Sequence, residues 1–372
     1  MEGEARKLLN FIPRIRRRDG LGHNASQMFV SARLRKSARF TMPSQTGVHK
    51  PHLKPPPDFV IIGAPKCSTT ALHATLQLHP EVFLSAIKEP HYFAFDYPRR
   101  REVESLRDYD SLFSKAKENQ IRGEASVYYL SSNEAVPAIL GRRPDAKLIA
   151  LVRNPVDLFV SFHNELLKGF DEDIQSPERA WRMQERRAQG FDVPKHCIVP
   201  TTLQYRYMCS LGQQLGRLFR FVPESQRLIV LYDDLQREPK KTIAEITTFL
   251  GVSSDRINVV LESNRFGRYN NQFVPRLMRT GIENQAIRRI RAKVKPFLNE
   301  CGIRPMAWLM SMSLKSVPKP VLRDAFRAEL TDAFSSDVRL LEQLLGRDLS
   351  HWRRLESSAS PMKQGSMTEG IG

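Results

Sequence analysis

The chain has 372 residues, 41% of them hydrophobic, enough for one large α/β domain or two small ones. No apolar stretch approaches the roughly 20 residues that cross a bilayer, so a soluble, cytoplasmic protein is expected. The net charge of +18 is concentrated: residues 1–57 hold 12 Lys+Arg against 3 Asp+Glu, residues 276–323 hold 11 against 2, and the remainder sums to zero. No recognised nucleic-acid-reading motif accompanies this charge, so nucleic acid is not expected as a partner.

Residues 1–57 mix Arg, Ser, Gly and Pro and end in Pro55-Pro56-Pro57. They are expected to form a basic, disordered tail. Its short amphipathic element, Leu8, Leu9, Ile12 and Ile15, would allow peripheral contact with an anionic membrane. A domain over 58–352 follows, and 353–372 is expected to be a disordered C-terminal tail.

From Asp58 onward, apolar runs alternate with helix-period stretches, which predicts a parallel sheet covered by helices. Strands are expected at 58–63, 147–152 and 227–232, with weaker candidates at 82–84 and 120–125. Helices are expected at about 69–78, 105–117, 132–141, 156–168, 202–220, 239–250 and 324–345. In the last of these, Leu340, Leu341, Leu344 and Leu345 would form the buried stripe, with Gly346 closing the helix.

The segment Gly63-Ala64-Pro65-Lys66-Cys67-Ser68-Thr69-Thr70 joins the first strand to the first helix. Unpaired N–H groups and the positive end of the dipole at such a helix start favour an anion, and Lys66 stands beside them. The triphosphate loop of ATPases would put glycine at 68 and lysine at 69. The strand at 147–152 ends in Arg153-Asn154-Pro155, cationic where a magnesium ligand would be wanted. Two anion sites at the C-terminal ends of two parallel strands suit a nucleotide phosphorylated at both ends.

These residues resemble a known family. The run F-V-I-I-G-A-P-K-C-S-T-T is similar to the 5′-phosphosulfate loop of sulfotransferases that use 3′-phosphoadenosine 5′-phosphosulfate. L-V-R-N-P-V-D-L-F-V-S-F-H resembles their 3′-phosphate motif, and Lys88-Glu89-Pro90-His91-Tyr92-Phe93 resembles a segment of the heparan-modifying carbohydrate sulfotransferases. The resemblance extends from about Asp58 to Trp352 and implies a P-loop-like, three-layer α/β fold. It also implies metal-independent sulfuryl transfer to an acceptor hydroxyl, with a small-molecule or glycan acceptor.

By the same resemblance, Lys66 would meet the bridging oxygen, and Cys67, Ser68, Thr69 and Thr70 would surround the 5′-phosphate. Arg153 and Ser161 would grip the 3′-phosphate, Arg268 would lie in a late loop over the cofactor, and Glu89 would be the base with His91 as the alternative. Ser68 departs from the glycine usual in many relatives, so the loop must hold a conformation that a side chain tolerates. Partial burial would raise the pKa of Glu89, opposed by Lys88 if the two are adjacent. Glu124 is a candidate for orienting the acceptor or Lys66, while Tyr232-Asp233-Asp234-Leu235 reads as structural. The four cysteines show no metal spacing, and Cys67 is either an activated thiol or a small residue that fits the loop. Two other classes stay open, a P-loop kinase and a non-catalytic polyanion-binding protein on the same fold. The basic segment 276–323 would serve the second.

Overall fold

The structure, a computed structural model, describes residues 54–254, the backbone of 267–269 and 314–316, and residues 317–354. The basic tail up to residue 53, most of the second basic segment and residues 355–372 lie outside the described residues.

Five strands form one sheet: β1 (Phe59–Gly63), β2 (Val82–Leu84), β3 (Ile121–Ala125), β4 (Lys147–Val152) and β5 (Arg227–Leu231). Their order is β2-β3-β1-β4-β5 and every neighbouring pair is parallel. Every residue of β1 and all but the first of β4 are buried. Continuous apolar strands of this kind require cover on both faces, which the crossover helices supply. Chain order sends β2 and β3 to one side of β1 and β4 and β5 to the other, so the sheet's switch point lies at the C-terminal end of β1. The P-loop-like α/β fold expected from the sequence is therefore the one observed.

The helices are α1 (Thr69–Gln77), α2 (Leu106–Ser111), α3 (Ala135–Arg142), α4 (Pro155–Lys168), α5 (Pro177–Arg182), α6 (Gln184–Ala188), α7 (Tyr205–Cys209), α8 (Leu211–Phe221), α9 (Tyr232–Arg237), α10 (Pro239–Leu250) and α11 (Asp324–Leu345). Pro155 opens α4, and the Asn154 side chain accepts from Val156 N–H, so this helix start is capped from within. A separate antiparallel pair, β6 (Gly267–Tyr269) with β7 (Leu314–Ser316), runs beside α4.

Several boundaries differ from expectation. The helix expected over 105–117 ends at Ser111, because Leu112, Phe113, Ser114 and Ala116 bond back three residues, in tighter turns. The helix expected over 202–220 is split into a 3₁₀ turn (Pro200–Leu203), α7 and α8. Ser210 breaks it at φ −79°, ψ 76°, outside the helical region. The start of α8 is then held from another helix, where the Asp337 carboxylate accepts from Gly212 N–H at 2.8 Å and Gln213 N–H at 2.9 Å. A Cβ at position 212 would lie 2.4 Å from the Asp337 carbonyl oxygen, so glycine is needed for this approach. In α11 the buried stripe is Phe326, Leu330, Phe334, Val338 and Leu341, while Leu340, Leu344 and Leu345 are only partly buried. Gly346 closes the helix in the left-handed region, as expected.

Candidate active site

The cradle begins where β1 stops. Gly63 has φ +137°, and a Cβ there would lie 2.5 Å from the Val127 carbonyl oxygen, so only glycine lets the chain turn at this point. Lys66 and Ser68 follow in the left-handed region, at φ 63° and 67°. Side chains rarely adopt this conformation, and it persists only where surrounding structure enforces it. It delivers the N-terminus of α1 to the site without a side-chain cap and without an acidic residue in its first turn.

A cavity of about 400 Å³ opens beside this loop. Lys66, Ser68, Thr69 and Thr70 form one wall, Lys88, Glu89 and His91 another, and Arg99, Arg100 and Arg101 extend it. Phe162 and Glu165 of α4 and Tyr128 also line it. Loop and candidate base, 23 residues apart between Lys66 and Glu89, thus share one space.

Glu89 and His91 are also left-handed, at φ 62° and 50°. One Glu89 oxygen bonds the Lys88 ammonium, and the other lies 3.5 Å from His91 Nε2. Burial pushes the Glu89 carboxyl up, but the His91 contact and the Lys88 charge outweigh it and hold the group well below the usual carboxylate range. His91 and Lys88 together therefore win over burial, and the Glu89 carboxylate stands ionised. The Nδ1 atom of His91 is buried without a hydrogen-bond partner.

Lys66 is engaged by a residue the sequence reading missed. Its Nζ lies 2.9 Å from Glu165 Oε2, and Lys168 binds the same oxygen at 2.6 Å. Burial raises the Glu165 carboxyl, yet the two lysines hold it down at about 2. Glu165 stands four residues after Ser161, on the same α-helical face, which is the only signal in the sequence that could have pointed to it.

The remaining predicted residues divide. Arg153 does not line the cavity; its guanidinium donates to the Lys66 carbonyl at 3.3 Å and stacks 4.2 Å from the Tyr232 ring centroid. Its Nε is buried without a partner. Asp157 is not its counter-ion, because Lys319 bonds that carboxylate. Ser161 is half-buried on α4, also outside the cavity lining.

Cys67 is a correction. Its side chain is fully buried with Sγ 3.5 Å from the Pro65 carbonyl, and burial pushes the thiol up to about 12 against the influence of Arg153 and Lys66. Only its backbone could serve a ligand, and it is the small fitting residue rather than the activated thiol. Arg268 sits in β6, and its side chain is outside the described residues.

Glu124 is a second correction. It is fully buried and accepts from the hydroxyls of Tyr109, Tyr129 and Ser126 rather than meeting Lys66. Asp233 and Asp234 are structural as expected, accepting from Trp352 Nε1 at 2.8 Å and from Arg347.

A parallel sheet with an uncapped, lysine-bearing loop at its switch point defines a phosphate-loop type of α/β protein. Residues 56–302 match the Sulfotransferase domain, and the chain belongs to that family. Over 199 residues it is 30% identical to mouse heparan sulfate glucosamine 3-O-sulfotransferase 6, covering 53% of this chain and 52% of the relative. Over 249 residues it is 35% identical to human carbohydrate sulfotransferase 15, covering 53% and 44%. The chain thus spans about half the length of the curated relatives it matches. The crystal structure of a sulfotransferase from Alicyclobacillus acidocaldarius aligns over 80% of this chain and 99% of its own, with a TM-score of 0.57 and 24% identity, a likeness of fold.

Proposed function

We propose that the protein moves a sulfuryl group from 3′-phosphoadenosine 5′-phosphosulfate to an acceptor hydroxyl, most simply on a carbohydrate or glycolipid. The observation that carries this reading is the shared cavity: Lys66 and the open start of α1 face Glu89 and His91 across it. The residues fit a doubly phosphorylated nucleotide. A helix start without a side-chain cap suits one phosphate, and the buried, unpartnered Nε of Arg153 suits the other. The names of the relatives, heparan sulfate and carbohydrate sulfotransferases, support a glycan acceptor.

In this reading Ser68, Thr69 and Thr70 hold the 5′-phosphate, and Arg153 with Ser161 the 3′-phosphate. Glu89, ionised, takes the acceptor hydroxyl proton as that oxygen bonds to sulfur. Lys66 meets the oxygen that departs with the electron pair of the broken sulfur–oxygen bond, and preorganised charge of this kind is usually the largest catalytic contribution. Lys66 must leave Glu165 to do so. The Arg153 end of β4 offers a cation where a kinase would hold magnesium, which weighs against the kinase reading.

The test is a titration with adenosine 3′,5′-bisphosphate in EDTA, with ATP and Arg153→Ala alongside. Tight binding without metal, lost in the variant, supports the reading and leads to an acceptor screen beginning with heparan sulfate. A preference for ATP, or binding that requires magnesium, overturns it.

A further inference from the structure

Behind the Glu89–His91 segment lies a hydrogen-bond hub that the transfer step itself does not use. Glu124, the fourth residue of β3, is completely buried. Its Oε1 accepts from Tyr109 Oη at 2.8 Å and Tyr129 Oη at 3.0 Å, and its Oε2 accepts from Ser126 Oγ at 2.7 Å. Two of these hydroxyls accept in turn from the backbone carrying the candidate base. His91 N–H donates to Ser126 Oγ at 3.0 Å, and Phe93 N–H to Tyr129 Oη at 3.2 Å. A third tie runs from Glu89 N–H to the Ala125 carbonyl at 2.9 Å, one residue from the hub.

The protons can be counted. Because Ser126 and Tyr129 each accept an N–H, their own hydrogens point to Glu124, and Tyr109 adds another. Three donors meet two oxygens, which only an ionised carboxylate satisfies in full. Protonation at Oε2 turns an O–H toward Ser126, whose hydrogen then loses its acceptor at a fully buried position. Ser126 must rotate, and the bond it accepts from His91 rotates with it. Glu89 and His91 both sit in the left-handed region, a conformation that holds only while its surroundings enforce it.

We infer that Glu124 is a positioning residue: as a carboxylate it locks the Glu89–His91 segment in its working conformation, and on protonation it releases that segment. This deepens the proposed transferase reading and rests on it for the role of Glu89.

The groups facing the hub permit titration near neutrality. From α2 comes Tyr109, with Arg142 of α3 acting on it but itself paired with Asp110. From the turn after β3 come Ser126 and Tyr129, and from the segment after β2 the His91 ring, 6.1 Å from that of Tyr129. Burial raises the Glu124 carboxyl to about 7 in spite of the three hydroxyl donors.

The test is amide hydrogen exchange on the full chain, corrected for intrinsic rates, in wild type, Glu124→Gln and Ser126→Ala, with adenosine 3′,5′-bisphosphate affinity measured on each. A single group titrating at about 7 lowers the ionised fraction about tenfold between pH 8 and pH 6, so protection at His91 and Phe93 should fall by about that factor in the wild type. The amides of β1 and β4 should not follow. Glu124→Gln, which cannot titrate, should abolish the pH dependence, and Ser126→Ala should expose His91 at every pH. Flat protection in the wild type, or the same fall in Glu124→Gln, overturns the inference. Should Glu124→Gln not fold, unchanged His91 protection in Ser126→Ala does so. Failure of the wild type to bind the bisphosphate would instead sink the cofactor reading and leave the exchange result standing.

Discussion

Replacing Ser68 by glycine should stabilise this protein. Ser68 stands at φ 67°, ψ 20°, and its side chain makes no cap to α1. Holding an L-residue in the left-handed region costs about 1–2 kcal/mol, and the greater freedom of glycine in the unfolded chain returns roughly 0.5–1 kcal/mol of that. The net gain is about 0.5–1 kcal/mol. For a domain of this size it corresponds to a rise in Tm of about 1–3 °C. Thermal unfolding of the free protein reads the effect, and the bisphosphate titration beside it reads whether the loop still receives a phosphate. A fall in Tm would refute the reasoning, since it would mean that the serine side chain contributes more to the resting loop than its backbone conformation takes away.

Glu89→Gln should keep bisphosphate affinity within about twofold and lower turnover by about 10²–10⁴, the usual worth of a general base; turnover at the wild-type rate would move the role to His91. Glu165→Gln removes the carboxylate that competes for Lys66, and should tighten the bisphosphate by about three- to fivefold in calorimetry, consistent with a partly exposed pair worth up to about 1 kcal/mol. Weaker binding would mean that Glu165 orients Lys66 rather than occupying it. Glu124 titrates higher in the folded chain than in the unfolded one, so the folded state binds its proton more strongly. Its ionisation therefore erodes stability as pH rises from about 4.5 to about 7, by roughly 3–4 kcal/mol in all. Denaturant unfolding across that range should show this downward slope in the difference between wild type and Glu124→Gln, in which the other titrating groups, Asp337 among them, cancel.

The anion loop was legible because everything that makes it is local: an apolar strand, a glycine, a lysine and an amphipathic start fall within a dozen residues. The position of Glu89 on the cavity wall was legible by its place in a motif. Glu165 was not, since it reaches Lys66 only after α4 has packed across the end of β1, and nothing in the span between them marks the pair. The direction of the Cys67 side chain was equally hidden, because a loop sequence does not say which of its residues turn inward. Glu124 was noticed for its position at a strand end and given the wrong partners, because the hydroxyls it binds come from α2 and from the turn after β3. The split of the helix expected over 202–220 has the same origin, since its amphipathic period continues through Ser210 while Asp337, which holds the new start at α8, lies more than a hundred residues away.

That carboxylate of Asp337 has a wider consequence. It sits at the start of α8 as a bound anion would, receiving two backbone N–H groups, and burial lifts its pKa to about 6 against their pull. Under the proposed function the protein would use the same kind of receptor twice, at α8 for a carboxylate of its own chain and at α1 for the 5′-phosphate. The internal copy is a built-in reference compound. Replacing Asp337 with alanine would vacate it, and the affinity of the emptied α8 end for free phosphate, set against that of α1, would separate what a bare helix terminus contributes to anion capture from what Lys66 and the strained loop add.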